Sequence, residues 1–499
     1  MAKDLILCLS SAILLILSFP DFNLWILAWF GFVPLFFAIK NKSRGHAFLL
    51  AYFTGVIFWS VTIYWLVHVT LPGTILLVLY LALYFGLFGA VISRTFLMPT
   101  FYHPVLIPSL WVILEYVRSY LFTGFPWALL GYSQYQNLTA IQIADVTGVW
   151  GVSFTLMVVN VAVKEMITYR LKVGGYKRKA KSFFIVVLIG LFMVFGYGFF
   201  RLSRKTEGAR LKVSVIQANI PQELKWDSRA KTFILDRYTQ LTEKSAKDNP
   251  DLIVWPEASS PDILGEEAFV FPRIVSLAQK IRIPLLIGSV ITEKGDYFNS
   301  ALLIDRDGKI IQKYDKLHLV PFGEYIPLRN MLPFLQTVVP IGDIARGKEY
   351  TIFKAPGSRL QATSLFSVLI CFEDLFPELS RRFVLRGAQF LVNITNDAWY
   401  KKTSAAEQHF QASVFRAVEN RVNLVRSANT GISGFVTPVG RVISLVQDEK
   451  KEKLFIGGTD TQEILIPEAK HLTFYTRYGE IFIILLFIFA IYSIFQLIL

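Results

Sequence analysis

The sequence predicts an α-helical transmembrane bundle of about eight helices carrying one α/β layered domain outside the cytoplasm. Three observations lead there. The chain of 499 residues is 54% hydrophobic and 15% aromatic, too apolar for an ordinary soluble protein of this length. Apolar stretches long enough to cross a bilayer, roughly 17 to 25 residues each, crowd the first part of the chain and recur at its end. Between them, from about residue 201 to 478, the pattern changes to short apolar strands alternating with amphipathic helices.

Seven spans can be drawn near 4–19, 24–40, 47–68, 74–97, 105–120, 148–167 and 182–200, and the eighth is EIFIILLFIFAIYSIFQLIL. The first follows Lys3 and has the look of a secretory signal. No small-x-small cleavage site follows it and the next apolar run starts within a few residues, so the reading is that it is retained. The resulting organisation is transmembrane helices over 1–200, a soluble domain over 201–478 and a last transmembrane helix over 479–499.

Orientation follows from the basic residues of the short loops. Lys40, Lys42 and Arg44 follow the second span, Arg94 lies near the end of the fourth, and Lys172, Lys177, Arg178, Lys179 and Lys181 separate the sixth from the seventh. Loops such as PDFN and TLPG carry almost none. This places both termini in the cytoplasm and the large domain on the outer face. The formal charge of +14, from 51 basic against 37 acidic residues, is thus read as topology and not as a nucleic-acid surface.

Within the fifth span, WVILEYVRS sets Glu115 and Arg118 three apart on one helical face, close enough to pair. A structural role is expected for them, anchoring FTGFPWALLGYSQ, which Gly and Pro break too often for a plain span. That segment reads as a re-entrant or interfacial loop.

In the soluble part, KVSVIQANI, DLIVWPEAS, PLLIGSVI, SALLIDRDGKIIQKY, FSVLICFED, QFLVNITNDAW and NLVRSANTG read as strands, with helices such as AEQHFQASVFRAVENRV between them. Three chemically capable residues stand beside strand ends: Glu257 in LIVWPEAS, Lys316 in KYDKLHLVPFGEY and Cys371 in FSVLICFED. Cys371 is one of only two cysteines, and the other, Cys8, lies in the first apolar span, so no disulfide framework exists and Cys371 is a free thiol. An acid, a lysine and a thiol at polar strand mouths match nucleophilic acyl chemistry, in which the thiol must lose its proton to a base and a cation must meet the developing charge.

WPEAS, the lysine of DKLHLVPFGEY and the cysteine of ICFED resemble the Glu-Lys-Cys triad of the nitrilase superfamily. The chain as a whole resembles that superfamily's membrane-embedded branch, the apolipoprotein N-acyltransferases of bacterial inner membranes. The likeness runs through QANIPQELKWD, TNDAWY, EQHFQ, AVENR, SANTG and the membrane motif FTGFPWALLGYSQ. It implies a periplasmic nitrilase-like αββα sandwich on a ring of eight transmembrane helices. It further implies that Cys371 takes the sn-1 acyl chain of a phospholipid, typically phosphatidylethanolamine, as a thioester. Glu257 would act as general base and Lys316 beside the oxyanion. The acceptor would be the α-amino group of the S-diacylglyceryl cysteine of an apolipoprotein. The scheme needs no metal and no cofactor.

The resemblance also assigns supporting positions to Glu324 and Glu373, which would orient Lys316 or hold a neighbouring loop, and tentative substrate contacts to Trp226 and Trp399. Crowded carboxylates raise the pKa of whichever is least solvated, which suits Glu257 as the base. A Cys-His pairing with His318 or His409 is set aside because the motif already supplies a base. PLRNMLPFLQTVVPIGD, after Glu324, is too apolar for a solvent-facing loop and reads either as a lid touching the bilayer or as a plain packed excursion. Two departures stand out: Phe372 replaces the Tyr many relatives carry, and SAAEQH lacks the usual Gly and Pro. A membrane-tethered amidase passing its acyl group to water is the alternative the triad alone leaves open.

Overall fold

The computed structural model describes residues 1–96, 102–170, 177–204, 207–266, 270–321, 323–325, 344–355, 364–467 and 472–498. The loop read as a lid or packed excursion lies outside the described residues. The chain divides into two compact units, Met1–Arg204 with Arg477–Leu499, and Lys205–Thr476.

The first unit is helical. Four of its described helices are long and apolar enough to cross a membrane, Arg44–Thr62, Leu71–Thr95, Val149–Tyr169 and Phe184–Ser203. Ala2–Leu17, His103–Tyr120 and Ile481–Ile498 are further helices in or beside the remaining apolar runs. The span drawn over 24–40 is not one helix. It is a 3-10 turn, Trp25–Trp29, followed by the short helix Val33–Ile39 with proline in its first turn. The break lies at Gly31, where an added Cβ would stand 2.8 Å from Leu15 Cδ2. Backbone freed from a helix in an apolar unit needs other partners. Asn160 supplies them, accepting from Phe32 N at 2.8 Å and donating to Ala28 O at 2.9 Å. Gln134 adds a third, donating to Trp25 O at 2.8 Å.

Glu115 and Arg118 are both buried, but they form no direct ion pair. Each grips the irregular segment that follows. Arg118 donates to Phe125 O at 2.5 Å and Trp127 O at 2.9 Å, and Glu115 Oε1 accepts from Leu130 N at 2.7 Å. The anchoring role stands, while the pairing is replaced by parallel contacts to one loop. Arg118→Leu strands two carbonyls and is expected to cost about 2 kcal/mol, read as a lower unfolding temperature in detergent.

Among the described residues the second unit holds twelve strands in two six-stranded sheets. In chain order they are β1 Ala209–Gln217, β2 Leu252–Val254, β3 Leu285–Glu293, β4 Asp296–Ile304, β5 Ile310–Asp315, β6 Phe353–Ala355, β7 Ser364–Ile370, β8 Phe390–Thr395, β9 Asn423–Ala428, β10 Gly434–Val436, β11 Val442–Leu445 and β12 Gly458–Ile466. One sheet has the order β12-β1-β2-β3-β4-β5, the other β11-β10-β9-β8-β7-β6. Each has three parallel strands at its heart, β1-β2-β3 and β7-β8-β9, flanked by antiparallel neighbours. The parallel strands are buried, as their continuous apolar runs require.

Lys231–Ala246 and Phe271–Ile281 cover the first sheet, joining Ile234, Tyr238, Ile274 and Leu277 to Ile253, Trp255 and Ile287 in one core. Pro377–Leu385 and Ala405–Asn420 pack against β7 and β9 of the second. Ser427 on β9 bonds the sheets together, its hydroxyl donating to Ile216 O at 2.9 Å and Val254 O at 3.1 Å. Because β4 runs antiparallel to both β3 and β5, the strands β2 and β5 point the same way. The residues just past them, Glu257 and Lys316, therefore emerge at one edge.

Candidate active site

Glu257 leaves β2 through Trp255 and Pro256 and is 8% exposed. The turn is tight: Ala258 has φ of 42° and Ser259 N donates to Gly288 O at 2.8 Å. Position 288 has to be glycine, since a Cβ there would lie 2.7 Å from Glu257 Cα.

Lys316 is 1% exposed, and its ammonium lies 2.9 Å from Glu324 Oε1 and 3.5 Å from Glu257 Oε1. Asn299, at the edge of β4, donates to both carboxylates at 2.8 Å. Burial alone would lower the Lys316 pKa, but Glu324 and then Glu257 more than reverse it, so the side chain stays a cation well above the usual lysine range. Glu324 is held in turn by Val320 N at 2.8 Å.

Cys371, the first residue past β7, is in a left-handed conformation, φ 54°, that a non-glycine residue adopts only under constraint. Its carbonyl supplies the constraint, bonded by Asn393 Nδ2 at 3.1 Å and His409 Nε2 at 3.2 Å. Burial and then the charge of Glu257 push the thiol pKa far up, and Lys316 with a hydrogen bond to Thr395 only partly offsets them. At rest the group is a neutral thiol within electrostatic reach of both the acid and the lysine.

The two acids behind the thiol are both engaged by other groups. Glu373 is fully buried, and its carboxylate accepts from Leu317 N at 2.7 Å, His318 N at 3.0 Å, Ile370 N at 2.8 Å and Tyr314 Oη at 2.8 Å. It thus clamps the loop after Lys316 to the end of β7. The least solvated acid of the site is therefore Glu373 and not Glu257, and burial lifts its pKa to about 7. Asp374 belongs to a second buried network. Its Oδ1 meets His409 Nε2 at 2.7 Å and its Oδ2 meets Arg426 Nη1 at 2.9 Å, while Asp397 Oδ1 takes His409 Nδ1 at 2.9 Å. Two cations balance two anions beside Cys371, whose carbonyl His409 also contacts.

Five of the sequence candidates, Glu257, Lys316, Cys371, Glu324 and Glu373, thus converge. Trp226 and Trp399 are 45% and 46% exposed, which removes core packing as their explanation. His318 lies against Phe376 with ring centroids 3.8 Å apart, and His409 has carboxylates on both nitrogens. Neither is placed as a base. The sequence reading missed Asn299, Lys225 and the Asp374–His409–Asp397–Arg426 network. Arg426 and Asn393 did leave a signal, as polar residues in the otherwise apolar strands NLVRSA and FLVNIT. Among the described residues no group of His, Cys, Asp and Glu has the arrangement of a metal site.

Two parallel-centred sheets with an acid, a lysine and a cysteine at their strand ends define a carbon-nitrogen hydrolase unit, and residues 212–464 match that family. Residues 11–162 match the apolipoprotein N-acyltransferase N-terminal domain. The apolipoprotein N-acyltransferase of Geobacter metallireducens is 38% identical over 96% of this chain and 92% of its own length, and that of Brucella suis 34% over 73% and 68%. The chain belongs to the apolipoprotein N-acyltransferase family and is an acyltransferase. Among solved structures, Nit3 of Saccharomyces cerevisiae aligns with a TM-score of 0.40 and 20% identity, over 55% of this chain and 97% of that one.

Proposed function

We propose that this acyltransferase moves the sn-1 acyl chain of a membrane phospholipid, with phosphatidylethanolamine as the expected donor, to the α-amino group of an S-diacylglyceryl cysteine at an apolipoprotein N-terminus. The observation that carries the reading is the convergence of Glu257, Lys316 and Cys371 from three separate strand ends, with Lys316 within 3.5 Å of Glu257 and both acting on the Cys371 thiol. In the first half-reaction Glu257 takes the thiol proton as Sγ attacks the ester carbonyl. The C–O bond then breaks, and Glu257 returns the proton to the leaving glycerol oxygen, giving a thioester and a lysophospholipid. Lys316 stabilises the oxyanion of the tetrahedral intermediate in a site with little water. In the second, the neutral amine forms the N–C bond, Glu257 accepts its proton, the C–S bond breaks and the proton goes back to sulfur. Glu324 and Glu373 position Lys316 and its loop, and Trp226 and Trp399 are assigned to the substrate surface.

The basic loops of the membrane part support a bacterial inner-membrane protein with cytoplasmic termini, about eight crossings and a periplasmic catalytic domain over 201–478. Purified protein incubated with phosphatidylethanolamine is expected to gain the mass of one acyl chain on Cys371, removable by hydroxylamine. A diacylated lipopeptide added next should acquire that chain. Loss of the chain to water without transfer would favour a membrane-tethered amidase instead.

A further inference from the structure

Lys225 follows the short 3-10 turn Gln222–Leu224 and is 6% exposed. Its ammonium donates to the main-chain carbonyl of Glu257 at 3.0 Å, and among the described residues no carboxylate lies within 4 Å of it. It borders a small cavity lined also by Ala258, Ser259 and Asn429. A buried ammonium without a counter-ion is costly, so its retention beside the base calls for a physical return. Burial pulls its pKa down to about 8, and Glu257 and Cys371 act on it in the opposite direction, which places both within reach of its field.

Counting charge shows what the return is. Lys316 is shared between Glu257 and Glu324, so these three side chains alone sum to one negative charge. A thiolate formed by passing its proton to Glu257, and the oxyanion that follows, would still stand in a site with one net negative charge. We propose that Lys225 is the charge-balancing residue of the active site, a positioning group that holds the Glu257 turn and offsets the excess carboxylate so that Cys371 can become anionic. With Lys225 charged, these four side chains and Cys371 together sum to zero both before and after the thiol proton passes to Glu257. In a low-dielectric interior that cancellation acts over several ångströms without contact.

The inference rests on Cys371 being the nucleophile, and its test is chosen to fail separately. The rate at which iodoacetamide alkylates Cys371 in the full-length protein reports on the thiolate whether or not acyl transfer occurs, and mass spectrometry of the Cys371 peptide excludes Cys8. The groups that bear on this thiol are Glu257, Lys316, Asp397, Tyr400 and Lys225. Lys225→Met is expected to slow alkylation at pH 7 about tenfold, Lys225→Gln to do the same while keeping a donor for the Glu257 carbonyl, and Lys225→Arg to restore the rate to within about twofold. In the wild type the rise of log rate with pH should slacken near pH 8 as Lys225 discharges, and in the Arg variant it should continue. A wild-type rate in Lys225→Gln would overturn the charge role, as would an Arg variant as slow as the Met variant. Should Lys225→Met not fold, the Gln and Arg pair still decides.

Discussion

Cys371→Ala is expected to lower acyl transfer by about 10⁴-fold or more and to abolish the hydroxylamine-sensitive acyl adduct, with little change in unfolding temperature. The size follows from the site. The other cysteine, Cys8, is buried in the helix Ala2–Leu17 of the other unit. Glu257 and Lys316 would survive intact in the variant, yet a base and a cation without a nucleophile can only assist direct attack of the amine on an unactivated ester. Stability should largely hold because Cys371 is fixed through its main-chain carbonyl, which alanine retains. The measurement is transfer of a labelled acyl chain to a diacylated lipopeptide, beside a thermal melt of the same preparation. Residual transfer above about 1% of wild type would remove sulfur from the mechanism.

The neutral resting thiol sets the sequence of events. A thiolate that stood free would be open to oxidation in the compartment proposed for it. In the proposed mechanism Glu257 would receive the proton only as the carbonyl carbon arrives, with Lys316 already charged to meet the oxyanion. Glu373 and Asn299 make that timing geometric. One fixes the loop after Lys316 to the strand that carries the thiol, and the other holds Glu257 and Glu324 at a set spacing around the lysine.

How much of this was legible in the sequence varies with the range of the interaction. Glu257, Lys316 and Cys371 were legible because each interrupts an apolar strand pattern at its end, a local signal. Eight of the described strands, β1 to β5 and β7 to β9, could be read as apolar runs, but β6, β10, β11 and β12 were not read, and no local pattern reveals that β1 pairs with β12, joining residues 209 and 466. The break at Gly31 was hidden because its partner, Asn160, stands more than a hundred residues away and looks like one polar residue in a span. Lys225 was passed over for its neighbour Trp226, as a lysine in a polar stretch gives no hint that folding will bury it. His409 was weighed only as a base, because nothing in EQHFQ reveals that Asp374 and Asp397 will close on both of its nitrogens.

That closure yields the second large effect. Burial and Arg426 both work against a charged His409, but Asp374 and Asp397 outweigh them and lift its pKa to about 9 from an ordinary value near 6.5. A histidine whose folded pKa is raised contributes stability that is complete below its unfolded pKa and is lost as pH rises through the folded one. The wild type should therefore lose stability between about pH 6.5 and 9, on the order of 3 kcal/mol. The two aspartates run the other way, their pKa values held low by His409 and Arg426 against burial, so their contribution disappears only in acid. His409→Gln keeps a donor but not the charge and leaves two buried aspartates facing one arginine. A loss of about 3–5 kcal/mol at pH 6 is expected, read by denaturant or thermal unfolding in detergent, with the slope between pH 6.5 and 9 largely abolished. Because the same ring bonds the Cys371 carbonyl, turnover should fall in the folded variant as well. Stability that declines with the wild-type slope in His409→Gln would show that the imidazole is not charged in the fold.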